Sequence, residues 1–178
     1  MMRWLMPVIA GVLLGGIVHV ASLLGVPLLA QADAYARLKP LGPANAFHPI
    51  VGTGKDAPLP GQDPAFETLA CVFDVSDGPV RIHVPVGPDY MALSFYTRPA
   101  IAFFSLNDRS ALAGMIDVEL RGPDASSAPV DQRPDIIVIN APDTTGFVLL
   151  RGFVAAPSYR ESVEGMLKNS RCERAPAP

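Results

Sequence analysis

Few side chains in this sequence have the types and spacing that binding chemistry needs. His83 lies on the polar face of one alternating segment, and Tyr96 lies at the end of another. Asn107, Asp108 and Arg109 follow a short apolar run. Their imidazole, phenol, amide, carboxylate and guanidinium groups are of the kinds that orient a small polar ligand. In the simpler interpretation, His83 lies on a solvated strand face and Asn107 and Asp108 stabilise a turn. These five residues are our candidates for a ligand-binding site at the loop ends.

The short motifs of common enzymes do not occur in the sequence. There is no Cys-x-x-Cys, no His-Glu-x-x-His and no Gly-x-Ser-x-Gly, patterns that mark many zinc and acyl-transfer sites. Asp117 and Glu119 share one strand face, and neither has an evident acid–base partner in the sequence. We therefore expect no catalytic residue, no metal and no cofactor, and we favour binding over catalysis.

Alternating apolar and polar residues predict the elements that position these side chains. A period of two is typical of half-buried antiparallel strands, and turns rich in Pro, Gly and Asp separate the segments. The predicted strands are 69–75, 80–86, 91–96, 100–106, 116–121, 135–140 and 147–154. They predict a mainly β fold, a β-sandwich or jelly-roll-like domain over residues 66–178.

One helix is predicted near the C-terminus, over residues 159–169. Ser158 and Glu161 have the spacing of a capping box. Val163, Met166 and Leu167 form an apolar stripe, so we expect the helix to dock on the sandwich.

Residues 32–65 form a Pro/Gly-rich linker in this scheme. A short amphipathic stretch over 34–41 predicts one or two helical turns. Six prolines and four glycines follow in residues 40–64, and they make regular structure improbable because proline removes backbone donors. The segment is either a spacer or an extended wrap over the domain surface.

The N-terminal segment 1–31 is predicted to be a single transmembrane anchor. Residues 4–30 carry no charge, and about 20 apolar residues span a bilayer core. Arg3 precedes the run and Asp33 follows it, which predicts a single-pass protein of the cytoplasmic (inner) membrane, with the N-terminus inside and the C-terminal domain in the periplasm. The alternative is a signal peptide cleaved after Ala32, because Ala30-Gln31-Ala32 fits the cleavage pattern.

One face of the anchor is suited to packing against another membrane helix. Gly11, Gly15, His19 and Ser22 recur at spacings of four, four and three. Small residues four apart permit close helix approach, although glycine is common in membrane helices generally. We expect either a partner membrane protein or a homo-oligomer.

The two cysteines, Cys71 and Cys172, would both be exported. Thiols outside the cytoplasmic membrane oxidise, and an even count permits one bridge. We predict a Cys71–Cys172 disulfide, with a buried free Cys71 and an exposed Cys172 as the alternative.

Composition excludes several classes of protein. The 178 residues are 49% hydrophobic and 17% charged, with a formal net charge of −3. One domain of ordinary size fits this length. A disordered chain would be less hydrophobic, and a nucleic-acid-binding surface would be basic. We expect no nucleic-acid partner.

Three runs, 70–81, 90–96 and 104–109, resemble the domain of unknown function 1254 family. The anchor's Ile17-Val18-His19 and the following Asp33-Ala34-Tyr35 are similar to segments of its short, membrane-anchored bacterial members. The resemblance implies an all-β, jelly-roll-like fold and a membrane-associated partner, and it supplies no catalytic residues.

Two functional hypotheses follow. In the first, the protein is a membrane-anchored envelope protein that acts as a non-catalytic binding or assembly module with a membrane partner. In the second, it is an envelope enzyme or a small-ligand or glycan-binding protein that uses the loop-end site. A β-sandwich supports both.

Overall fold

The computed structural model describes residues 2–29, 33–52, 54, 57–123 and 135–175. The apolar N-terminal segment forms one helix, α1 (Met2–Leu29). The chain divides into two compact units, residues 1–32 and 33–178. Within α1, Trp4–Gly25 is long and apolar enough to cross a membrane, with a mean hydropathy of 2.2. An anchor and a signal sequence share this property. The Ala30-Gln31-Ala32 cleavage pattern lies outside the described residues.

The second unit is built from two β-sheets and short helices. Its helices are α2 (Ala34–Leu38) and α3 (Arg160–Leu167). Its described strands are β1 (Phe47–Pro49), β2 (Phe66–Asp74), β3 (Val80–Pro85), β4 (Met91–Thr97), β5 (Ala102–Asn107), β6 (Met115–Arg121), β7 (Ile136–Asn140), β8 (Thr145–Phe153) and β9 (Arg171–Arg174). The five-stranded sheet has the order β1-β2-β8-β4-β5, and the four-stranded sheet has the order β7-β6-β3-β9.

The core lies between the two sheets because each contributes one apolar face. Phe73, Phe95 and Leu150 from the five-stranded sheet meet Ile82 and Val118 from the four-stranded sheet in one buried cluster. The alternation predicted from the sequence places these side chains inward and their polar neighbours outward. The mainly β fold with one C-terminal helix and an apolar N-terminal helix is confirmed.

The described residues between 33 and 65 wrap the outer face of the five-stranded sheet. The Asp33 side chain accepts a hydrogen bond from the backbone N–H of Ala36 at 2.7 Å and caps α2. Leu38 and Ile50 are buried in a second apolar cluster on this face. The helical turns predicted over 34–41 are confirmed by α2 and a 3₁₀ turn (Lys39–Leu41). The expectation that regular structure is absent from 40–64 is wrong at β1. Strand β1 tolerates Pro49 because it lies at the edge of the sheet.

Three local expectations differ from the structure. Strands β6 and β7 pair in parallel, whereas the other described strand pairs are antiparallel. The 14 residues between β6 and β7 are long enough for the crossover that parallel pairing needs. The four-residue β9 was not predicted, since its alternating charges and short length give a weak apolar pattern. Helix α3 starts at Arg160 without a side-chain cap from Ser158, because a 3₁₀ turn (Pro157–Tyr159) precedes it.

The docking of α3 on the sandwich is confirmed. Val163 and Leu167 are buried, and Met166 packs against the same core. A Cβ atom at Gly152 of β8 would lie 2.9 Å from Val163 Cγ1. The absence of a side chain at Gly152 therefore lets the helix approach β8 closely.

The predicted Cys71–Cys172 disulfide is confirmed, and it joins β2 of one sheet to β9 of the other. Both residues are buried within the core cluster. The bond therefore links the two layers covalently, close to the end of the described chain.

Candidate functional site

The five ligand-binding candidates lie on three separate parts of the domain. His83 is on β3, where Ile82 and Val84 point into the core, so its side chain is on the outer face of the four-stranded sheet. Tyr96 lies on the outer face of the five-stranded sheet and stacks on Phe147, with ring centroids 4.9 Å apart. The two residues are therefore on opposite outer faces of the sandwich.

Asn107, Asp108 and Arg109 lie where β5 ends. Asn107 Oδ1 accepts a hydrogen bond from the backbone N–H of Arg109 at 3.1 Å and caps a 3₁₀ turn. This is the turn role that the simpler interpretation gave them. In the β4–β5 ladder, Asn107 is opposite Ala92, four residues from Tyr96 along β4. The structure does not gather the five candidates into one site.

His83 has different neighbours, supplied by the strands on either side. In the antiparallel register His83 is opposite Asp117 of β6 and Arg171 of β9. The His83 ring nitrogen Nδ1 is in hydrogen-bond contact with Asp117 Oδ1. A carboxylate only accepts hydrogen bonds, so Nδ1 carries the proton and the ring orientation is held by Asp117. The other ring nitrogen, Nε2, is left for a ligand.

The next row on this face is an ion-pair cluster. Glu119 is opposite Arg81 in the register, and its Oε2 lies 3.3 Å from Arg81 Nη2. Glu119 Oε1 lies 2.7 Å from Arg121 Nη2 and 2.8 Å from Arg121 Nε. Glu119 and Arg121 are each only 6% exposed. Buried charges are stable only when they are paired. These ion pairs therefore stabilise the pairing of β3 with β6 beside His83.

A polar groove of about 680 Å³ crosses the outer face of the four-stranded sheet. Residues of β3, β6 and β9, the start of β7 and the end of α3 line it. The lining residues are Arg81, His83, Pro85, Met115, Asp117, Asp135, Ile136, Lys168, Asn169, Arg171 and Glu173. Three of these are acidic and three are basic, besides His83. Such a surface offers donors and acceptors to a polar ligand.

Several of the groove's charges are not neutralised by any residue that the structure describes. Among the described residues, the side chains of Lys168, Arg171 and Asp135 make no ion pair and no hydrogen bond. Lys168 and Arg171 lie toward the α3–β9 side, and Asp135 lies at the start of β7 on the opposite side. Within the described part of the chain, no group of three or more residues of the metal-binding types is clustered as for a metal ion.

Sequence reasoning missed the partners of His83. Asp117 and Glu119 seemed to lack partners because His83 and Arg81 are 34 and 38 residues away. The polar faces of β3 and β6 were visible as alternation, but alternation does not reveal which strands pair or in what register. Lys168 and Arg171 follow α3 and were not singled out by any motif.

A second cavity, of about 370 Å³, lies between β1 and α3. Phe47, Ile50, Leu69 and Leu167 make it the more apolar of the two. Its lining also includes three charged residues, Glu67, Glu164 and Lys168.

One carboxyl group outside the groove, that of Asp74, has a lowered pKa. The Ser76 hydroxyl donates to Asp74 Oδ1 at 2.5 Å, and the Ser76 backbone N–H donates to the same oxygen at 3.0 Å. These two hydrogen bonds, with a smaller contribution from the charge of Arg174, lower the pKa of Asp74, although burial acts in the opposite direction. The shift therefore belongs to the turn between β2 and β3.

In the N-terminal unit, Gly11, Gly15, His19 and Ser22 all lie within α1. A Cβ atom at Gly11 or Gly15 would meet no atom within 4 Å, so the helix itself does not require glycine at these positions. Association through this face remains a prediction.

Comparisons with known proteins support a family and a fold. Residues 63–174 match a family model described as "Protein of unknown function (DUF1254)". A search of curated proteins found no match. The crystal structure of the VPA0106 protein from Vibrio parahaemolyticus aligns with a TM-score of 0.59 at 14% identity, covering 85% of this chain and 39% of that one. An uncharacterized protein from Burkholderia cenocepacia aligns with a TM-score of 0.49 at 19% identity, covering 71% and 36%. This chain thus spans less than half the length of either structure.

Proposed function

This chain belongs to the DUF1254 family of proteins of unknown function, and we propose that it is a membrane-tethered module of the bacterial envelope that binds a polar ligand. The groove on the outer face of the four-stranded sheet is the proposed binding site. The observation that carries this proposal is that Lys168, Arg171 and Asp135 line the groove without an ion pair among the described residues.

The tether is supported by α1 and by the disulfide. A 22-residue apolar stretch matches the thickness of a bilayer core. A disulfide buried in the core suits an oxidising compartment outside the cytoplasm. Arg3 before the stretch and Asp33 after it favour an N-terminus in the cytoplasm and the sandwich in the periplasm.

Cell fractionation tests the tether. We expect the protein to stay in the membrane pellet after alkaline carbonate extraction, to keep its N-terminal residues by mass spectrometry, and to be digested by protease only once the outer envelope is permeabilised. A soluble form beginning at Asp33 would show a cleaved signal peptide and overturn the tether.

Ligand binding is testable through Met115, whose side chain lines the groove. The full chain is labelled with ¹³C at methionine methyl groups and held in neutral detergent micelles. Four probes represent four chemical classes: tri-alanine, N-acetylglucosamine, citrate and spermidine. We expect at least one to shift the Met115 signal in a saturable way.

Met91, which is buried in the core, is the matched control, and its signal should not move. A Met115→Leu variant assigns the reporter signal. If none of the four probes produces a saturable shift at Met115, the binding proposal is wrong.

A membrane partner is proposed through the face of α1 that carries Gly11, Gly15, His19 and Ser22. We expect Gly15→Leu to disrupt association, because a large side chain prevents close helix approach. Gly16→Leu is the matched control, since it lies about 100° around the helix. The measurement is the mass of the purified complex in mild detergent. An equal mass for both variants would contradict a role of this face.

A further inference from the structure

We propose that the groove recognises a zwitterionic ligand, one that carries an anionic and a cationic group about 10 Å apart, as a short peptide does. This inference rests on the proposed function, because it assigns a ligand class to the same groove.

The argument begins with the order of charges across the sheet. One row of side chains runs through Arg171, His83, Asp117 and Ile136, each opposite the next in the register of β9, β3, β6 and β7. Neighbouring strands lie about 4.8 Å apart, so the Cα atoms of Arg171 and Asp117 are separated by roughly 10 Å. The row is basic at one end and acidic beyond His83.

Charges outside this row extend the same polarity. Lys168 joins Arg171 at the basic end, and Asp135 precedes Ile136 at the acidic end. Of the remaining charged residues in the lining, Arg81 is paired with Glu119, and Glu173 lies opposite Arg81 in the next row. The groups left for a ligand therefore carry net positive charge on the β9 side, where Lys168 and Arg171 outnumber Glu173, and negative charge on the β7 side.

A ligand with charge of only one sign meets an unfavourable group in this groove. An extended anion reaching past His83 approaches Asp117 and Asp135, and an extended cation approaches Arg171 and Lys168. A neutral molecule leaves both ends uncompensated. A zwitterion in the right orientation satisfies both, and its carboxylate can pair with Arg171 in the bidentate geometry that guanidinium favours.

The spacing of the strands that carry Arg171 and Asp117 sets the size of the ligand that we propose. An extended peptide spans about 3.3–3.6 Å per residue, so three residues place an ammonium and a carboxylate roughly 10 Å apart. Tri-alanine is the simplest such molecule. We expect its carboxylate near Arg171 and Lys168 and its ammonium near Asp117 and Asp135.

The experiment compares tri-alanine with two blocked forms on the full chain in neutral micelles. N-acetyl-tri-alanine lacks the positive charge, and tri-alanine amide lacks the negative charge. Calorimetry and the Met115 methyl signal report binding. We expect both blocked peptides to bind at least about tenfold more weakly, the size expected for losing a hydrogen bond to a charged group.

Charge-removing variants locate the two ends. Arg171→Gln and Asp135→Asn should each weaken tri-alanine binding by about tenfold or more. Exposed residues elsewhere supply the matched controls, Arg151→Gln on β8 and Asp143→Asn in the turn before it, and these should leave binding unchanged. An unchanged Met91 signal verifies that each variant is folded.

The outcomes separate the two proposals. Equal binding of tri-alanine and a blocked form, or equal binding by Arg171→Gln and the original protein, overturns the zwitterion inference. If citrate or N-acetylglucosamine shifts Met115 while tri-alanine does not, the inference fails and the binding function stands. If no probe binds, both fail.

Discussion

Breaking the Cys71–Cys172 bond should destabilise the sandwich strongly without changing its fold. The bond links two buried residues, one on each sheet. Alanine is the suitable replacement, because a serine hydroxyl buried in this apolar core would lack a hydrogen-bond partner and would add its own cost. The perturbation is therefore the double substitution Cys71→Ala and Cys172→Ala.

The magnitude follows from the length of the closed loop. The two cysteines are 101 residues apart in sequence. Constraining the unfolded chain over a loop of this length corresponds to about 4–5 kcal/mol at 25 °C in the chain-entropy model. For a domain of this size, that loss lowers the melting temperature by roughly 8–20 °C.

The assay is urea unfolding of the full chain in neutral micelles, followed by circular dichroism of the β-sheet signal. Tryptophan fluorescence is unsuitable, because the chain's single tryptophan, Trp4, lies in α1. Each single variant should lose nearly as much stability as the double variant, since either one removes the whole bond. This non-additivity distinguishes a broken pair from two independent packing defects.

Two results would refute this reasoning. One is a difference below about 1 kcal/mol between the oxidised protein and the double variant, well under the range for native disulfides. The other is a difference that persists after the bond of the original protein is reduced, because that would place the effect in packing instead of in the covalent link.

Three further predictions concern the sandwich itself. Gly146→Ala should destabilise the sandwich by about 1–3 kcal/mol in urea unfolding, because a Cβ atom there would collide with the Tyr96 carbonyl oxygen and the Phe73 ring. The control is Gly165→Ala, in open space on α3, which should be neutral or stabilising by up to about 1 kcal/mol. Glu119→Gln should cost about 3–5 kcal/mol, because it removes the buried carboxylate that pairs with Arg81 and Arg121. Asp77→Asn, in a pair with side-chain exposures of 49% and 70%, should cost less than about 1 kcal/mol; equal losses would contradict the role of burial. The lowered pKa of Asp74 contributes stability that is present above its unfolded pKa and lost as pH falls through its folded pKa. The urea midpoints of the original protein and of Asp74→Asn should therefore converge as the pH falls below about 4. A constant gap between the two midpoints would contradict the assignment of the shift to Asp74.

The elements predictable from sequence are those with a clear periodic pattern. Strand β3 alternates apolar and polar residues from Val80 to Val84, and its burial alternates with them. Strand β6 alternates in sequence from Ile116 to Arg121, although Glu119 and Arg121 on its polar face are buried. The stripe on α3 was visible for the same reason. Strand β1 was not, because it is three residues long and ends in Pro49, and its stability comes from pairing with β2.

The candidate site was predictable only in part. His83 was singled out as a polar residue on a strand face, and it lines the groove. Its pairing with Asp117 depends on the register between strands that are not consecutive, and no local pattern encodes that register. Tyr96 and Asn107 have local roles, in ring stacking and turn capping, that their residue types also allowed.

The bond between the sheets also determines which parts of the chain can carry a mechanical load. If the N-terminus is held in a membrane and the chain beyond β9 is pulled, tension passes from residue 33 to Cys71, crosses the sulfur–sulfur bond and leaves at Cys172. Strands β3 to β8 lie in the bypassed loop and are not stretched. The parts under tension are the described residues between 33 and 65, the first part of β2, and Glu173 and Arg174 of β9. Force would therefore detach α2 and β1 and uncover the apolar outer face of the five-stranded sheet, while the groove loses no lining residue except Glu173.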